Sequence, residues 1–242
     1  MFQIFRKEIA LYFGSPMAYI VVAIFLLASA LLLWVFPGYQ NILDTEFANL
    51  DGLFTNAPWL FLWLIPALCM HLFSETYRTK KSLLLFTRPL STWDIIMGKY
   101  WAGFVVILFA LIPTFIFAIS IYLLANPAGN VDLGAIGGSY IGLLFLASIY
   151  LSISLFTSSI SNNQLIAFLL GVILCAFIYT GWTYLASIFT KQSLQNTLIS
   201  LSIEEHYYSI SRGVIDTRDL VYFILITVFF LMLTQIVITK KR

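Results

Sequence analysis

The chain has 242 residues, of which 61% are hydrophobic and only 10% charged. Soluble domains run about 45–50% apolar and about 25% charged, so an ordinary water-soluble fold is excluded. The 13 Lys+Arg against 11 Asp+Glu leave no basic field for nucleic acid, and the hydrophobicity excludes disorder. Cys69 and Cys175 lie inside apolar runs. They are too few for a disulfide scaffold and wrongly placed for a zinc site. The composition is that of an all-α polytopic membrane protein.

Residues 1–16 come first and read as a helix lying in the membrane interface. Phe2, Phe5, Ile9, Tyr12 and Phe13 recur at helical spacing, with Arg6, Lys7 and Glu8 elsewhere on the surface. Gly14-Ser15-Pro16 breaks this helix from the first span; the alternative is a simple extension of that span. Ala28-Ser29-Ala30 imitates a signal-peptide cleavage site, but the apolar run continues through Leu31–Trp34, so the segment reads as a retained span.

A charge at the bilayer centre costs at least about 2.5–3.5 kcal/mol, so charge-free runs locate the spans. These runs are 9–43, 52–74, 100–131, 133–190 and 220–239. The fourth is far longer than the roughly 20 residues one crossing needs, and it must double back at Thr157–Gln164. Six transmembrane helices result, near 17–37, 57–74, 100–124, 135–157, 164–187 and 219–238. Nothing alternates as the strands of a membrane barrel would.

Lys and Arg fall mainly on one side: Arg6, Lys7, Arg78, Lys80, Lys81, Arg88, Lys99, Lys240, Lys241 and Arg242. The other side holds Lys191, Arg212 and Arg218 with most of the acids. The positive-inside rule therefore places both termini in the cytoplasm of a multi-pass inner-membrane protein.

Between spans 2 and 3, residues 75–99 form the longest cytoplasmic segment. A basic helical piece ends in Leu83-Leu84-Leu85-Phe86, Arg88-Pro89 turns the chain, and Ser91-Thr92-Trp93-Asp94 reads as a capping box opening the next helix. Apolar residues beside charges on a unit too small for its own core point to a docking surface for another protein. The alternative is a loop whose leucines dip among lipid headgroups. On the far side, 189–217 reads as a partly helical segment before span 6.

Catalytic patterns are missing. There is no phosphate-binding G-x-x-x-x-G-K-[ST] and no H-E-x-x-H, and His71 and His206 fall on opposite faces. His71 and Glu75 are spaced for a proton-handling pair, a pattern that more often marks simple interfacial anchoring. The centres of the spans lack Asp, Glu, Lys and Arg, so energy for uphill movement would enter from outside the bilayer. Gly134, Gly138 and Gly142 form a small-residue seam for close helix packing, either within the chain or between subunits. Ser148 and Ser152 are candidates for lining a pathway, or else satisfy their own helix.

The interfacial helix, the six spans, the elaborate basic loop and the outer segment together resemble the permease subunits of type-2 ABC exporters. Glu75, Arg78, Thr79, Leu83, Leu84, Pro89, Ser91, Gly98 and Lys99 are similar to that family's signature, although Tyr77–Lys81 lacks its usual glycine before the threonine and glutamate after it. Asn126–Gly134, Gly138–Phe145 and Ser158–Gln164 most resemble the permeases of gliding-motility-associated ABC transporters of Bacteroidota. The resemblance implies that 75–99 is a coupling helix segment docking on a separate cytoplasmic ABC ATPase, with Leu85 in the same apolar cluster. ATP and Mg are then expected on that partner and no cofactor on this chain. It further implies a second permease copy, or a related larger permease subunit with a periplasmic domain. Rival readings are a non-transporting scaffold relaying ATP-driven motion, a permease for a drug, a lipid or copper-site maturation, and an intramembrane enzyme.

Overall fold

The computed structural model of the chain describes residues 1–44, 49–78, 91–127, 129–213 and 216–241, with 75–78 described by backbone alone. Those residues are mostly helical, with no strand among them. The elements are α1 (Phe2–Gly14), α2 (Pro16–Trp34), α3 (Asp51–Cys69), α4 (His71–Arg78), α5 (Thr92–Leu111), α6 (Phe115–Leu124), α7 (Leu133–Ile160), α8 (Gln164–Ala176), α9 (Trp182–Ile188), α10 (Gln192–Ile199), α11 (Ile203–Ser211) and α12 (Thr217–Lys240). A 3₁₀ turn at Ile112–Thr114 joins α5 to α6, and a π turn at Phe177–Gly181 joins α8 to α9. The first follows from Pro113, which has no N–H for the helical ladder.

Six helical stretches are long and apolar enough to cross a bilayer: Pro16–Trp34, Asp51–Ser74, Thr92–Leu124, Leu133–Ile160, Gln164–Ile188 and Thr217–Lys240. Three begin earlier than the charge-free runs indicate, the sixth at Thr217. The second starts at Asp51, a carboxylate in a helix's first turn, where the backbone dipole favours it. The third starts at Thr92 and continues through Lys99. Its 33 residues reach about 50 Å, well beyond a hydrocarbon core of about 30 Å.

Local signals set the ends. Ser91 caps α5 by accepting from the Asp94 N–H at 3.1 Å, as the capping box requires. Asp132, Asn163 and Asp216 cap α7, α8 and α12 in the same manner. Ser161-Asn162-Asn163 makes the turn that folds the longest apolar run back on itself.

The bundle is organised around α7. Of its most apolar stretch 72% is buried, against 33% for α12. It packs against α3, α4, α5, α8, α11 and α12. Leu143, Leu146, Ile149, Tyr150 and Ile153 are fully enclosed. On α12, by contrast, Val221, Leu225, Phe229, Met232 and Ile236 form one exposed stripe at spacings of four and three. In water such a stripe would be an aggregation site; in a span it meets lipid tails. Lipid is as apolar as leucine, so close packing and hydrogen bonds, more than hydrophobic burial, hold the helices together.

Candidate functional site

The hydrogen-bond ladder of span 2 is interrupted at one point, although the backbone of Met70 keeps the α-helical φ −55° and ψ −31°. The interruption falls at Met70, between α3 and α4, and side chains from three neighbouring elements bond the backbone around it. Tyr12 of α1 donates its hydroxyl to the Leu68 carbonyl at 3.4 Å. Ser158 of α7 donates to the Met70 carbonyl at 3.1 Å and accepts the N–H groups of Phe73 and Ser74 at 3.1 and 3.4 Å. The first turn of any helix leaves its N–H groups without helical partners, and here Ser158 supplies the cap from another helix. Ser74 turns its own hydroxyl back onto Met70. Lys99 of α5 donates to the Leu72 carbonyl at 2.9 Å.

Lys99 carries the strongest interaction of the group. Its ammonium lies 2.9 Å from the Glu8 carboxylate and 5.1 Å from the centre of the Phe73 ring. The two residues retain only 5% and 8% exposure, so both charges are withdrawn from water. A pair so enclosed adds little net stability when complete, but removing one partner strands the other at a cost of about 3–5 kcal/mol. The pair therefore fixes the register of α1 on α5. Gly98 allows the close approach, because a Cβ there would come within 2.8 Å of the Ile4 side chain. Further along, the N-terminal ammonium sits 3.3 Å from Asp94, and Phe13 meets Phe109 edge-on at 5.5 Å. Met1 and residues 4, 8 and 13 of the first helix thus meet 94, 98, 99 and 109 of the fifth in ascending order.

Glu8 corrects the reading of α1. The spacing predicts it off the packed face, and it instead lies buried within that face, while Phe2, expected in the apolar stripe, is exposed. The apolar pattern alone cannot register a carboxylate whose partner is 91 residues away. Burial pushes the Tyr12 phenol well above its ordinary value.

Of the residues assigned to coupling, Ser91, Gly98 and Lys99 are engaged inside this assembly. Glu75 and Arg78 belong to α4 by their backbone. Thr79, Leu83, Leu84, Leu85 and Pro89 lie outside the described residues. His71 meets Tyr12 edge-on at 5.7 Å, and the Glu75 side chain expected to pair with it lies outside the described side chains. Sequence reasoning missed Glu8, Tyr12 and Ser158 as parts of this site. The available signal was Lys99 itself, a lone charge bordering an apolar run and so in need of a partner.

The remaining candidates lie elsewhere. A Cβ on Gly138 would stand 2.8 Å from the Ile210 carbonyl oxygen and 2.9 Å from the Cα of Gly213; Gly142 faces Tyr207 and Ile210. Gly134 also borders Gly213, which has φ +83° and meets the start of α7. The glycine seam is thus filled by α11 of the same chain. Ser148 and Ser152 donate to Leu144 and Ile149 of their own helix. Among the described residues no three His, Cys, Asp or Glu side chains come together as a metal site. Comparison with protein-family models and with curated proteins gives no match to this chain.

Proposed function

We propose that the chain is the transmembrane permease subunit of an ATP-driven, exporter-type ABC complex, and that residues 75–98 receive a separate cytoplasmic ATPase. The observation that carries this reading is the way both ends of that connection are rooted. Its entering helix, α4, is bonded to α7 through Ser158 and to α5 through Lys99, while its exit is capped by Ser91 and tied to the N-terminus through Asp94. A push on the connection therefore reaches α1, α3, α5 and the central α7 together. A loop that merely joined two spans would need no such fastening.

On this reading α1 is the amphipathic interfacial helix, and its exposed Phe2, Arg6, Lys7 and Leu11 meet the inner headgroups. Both termini are cytoplasmic and the membrane is the inner one. Hydrolysis, with its ATP and Mg, belongs to the partner. Six spans supply half of a pathway, so a second copy or a larger related permease completes it. The likeness of Asn126–Gly134, Gly138–Phe145 and Ser158–Gln164 to gliding-motility permeases favours service in gliding motility.

The test is co-purification. Replacing Leu84 and Leu85 with Asp leaves membrane insertion intact and removes the ATPase activity that co-purifies with the chain; retention of that activity overturns the reading. Reconstitution of chain and ATPase in liposomes then separates transport from force relay, since stimulated hydrolysis with no transported species assigns the chain to the latter.

A further inference from the structure

At the end of the bundle opposite α1, the ring of His206 on α11 is held between two acceptors. Its Nδ1 lies 2.6 Å from Asp219 Oδ1 on α12, and its Nε2 lies 2.9 Å from the Ser200 carbonyl oxygen. A neutral imidazole has a single N–H and can satisfy only one of them; the imidazolium satisfies both. The ring cannot readily turn away. It is stacked on Tyr222 at 3.8 Å, and Tyr222 in turn donates its hydroxyl to the Leu201 carbonyl. Asp219 is buried, and its second carboxylate oxygen has no hydrogen-bond partner. That oxygen leaves the carboxylate dependent on the bond to His206.

We propose that His206 and Asp219 form a proton-dependent latch that fastens α11 to the first turn of α12. With the ring doubly protonated, both acceptors are bonded and an opposite charge faces the buried carboxylate. Loss of one proton sets an unprotonated nitrogen against an acceptor and releases one contact. What is gripped matters, because α11 also plugs this end of the bundle. Tyr207 donates to the Phe54 carbonyl of α3 at 2.8 Å, and Ser139 of α7 donates to the Ser211 carbonyl at 3.0 Å. Opening the latch leaves α11 attached to α3 and α7 but loosened from α12.

The groups around the ring support this assignment. From α12 it faces Asp219 and Tyr222, and from the turn at 200–202 a carbonyl. The central helix presents glycines and Ser139 to α11 and contains no charged residue. The π turn presents Tyr179, whose charged neighbour is Glu204. On α11 itself Glu204 turns toward Thr183 and Glu205 is exposed.

Hydrogen exchange of amides 203–211 in the chain, corrected for the intrinsic rate and followed over the pH range in which the chain stays folded, tests the latch. Exchange is expected to accelerate several-fold as pH rises in the wild type. The same rise is expected in His71→Gln, where His206 is the sole histidine, and in Glu204→Gln. In a Glu204→Gln background, which removes the other carboxyl titration on α11, His206→Gln and Asp219→Asn abolish it. A flat wild-type profile, or a rise that persists in His206→Gln/Glu204→Gln, overturns the proposal. Should those two variants fail to insert, ¹⁵N-histidine labelling of the His71→Gln chain decides. Loss of the second ring proton must coincide with faster exchange, and exchange that changes while the ring does not overturns the latch.

Discussion

The two ends of the bundle are closed by different chemistry. At the end bearing α1, the interrupted span is bonded by a phenol, a serine hydroxyl and an ammonium that is itself paired with a carboxylate, all enclosed. At the end bearing α11, a short helix settles onto a glycine face, is bonded to α3 and α7 through Tyr207 and Ser139, and is fastened to α12 by a histidine–aspartate contact with part of its edge exposed. Buried polar networks have few alternative arrangements and fail sharply when one member is lost. A glycine seam with a single latch can loosen by degrees. On the proposed reading, the first end would transmit displacement as a unit and the second would admit local opening.

Breaking the ion pair tests this contrast most severely. Lys99→Met leaves the Glu8 carboxylate buried without a partner and is expected to cost about 3–5 kcal/mol, read as loss of thermal stability in detergent. The double variant Glu8→Leu/Lys99→Met removes both charges and should recover most of that loss. If the single and double variants are equally unstable, the pair is not what holds α1.

At the opposite end, Gly138→Ala pushes a methyl group toward the Ile210 carbonyl and Gly213, an overpacking expected to cost about 1–3 kcal/mol. The damage should stay local, so limited proteolysis near 203–213 speeds up while the α1 end remains protected. Equal protection at both ends would remove the distinction between them. Ser158→Ala deletes a hydroxyl that serves two amides and a carbonyl, for about 1–3 kcal/mol. Faster exchange of the Phe73 and Ser74 amides is the readout.

The smallest expected effect is a pH dependence. Burial raises the Glu204 carboxyl above its usual value, more than the Thr183 hydroxyl lowers it. The folded chain therefore holds this proton more tightly than the unfolded chain. The resulting stability is complete below about pH 4.3, the ordinary glutamate value, and is lost as pH rises through the raised folded value. Glu204→Gln should abolish that slope in a stability titration. Together with the histidine latch, both titrations loosen the α11 end as pH rises, and neither touches α1.

Much of the fold was legible because lipid imposes a simple rule: apolar runs of sufficient length become helices, and the polar turn at 161–163 divides the longest of them. The start of span 3 was misplaced for a physical reason. The charge-free run begins only after Lys99, but a charge with an enclosed partner does not interrupt a helix. Ser91 and Asp94 were readable as a cap because capping is local. The glycine face was readable as a seam, whereas its occupant was not, since Ser139 and Ser211 lie 72 residues apart. Ser158 illustrates the limit: one serine among many on α7 does not announce in sequence that it caps a different helix.

The claim that the α1 end is the receiving end for an external motor is tested most directly by a photo-crosslinker at position 84 in native membranes. The expected result is an adduct between this chain and a soluble protein that hydrolyses ATP, formed with the wild-type ion pair and weakened in Lys99→Met. Adducts only with lipid, or only within the chain itself, would contradict it.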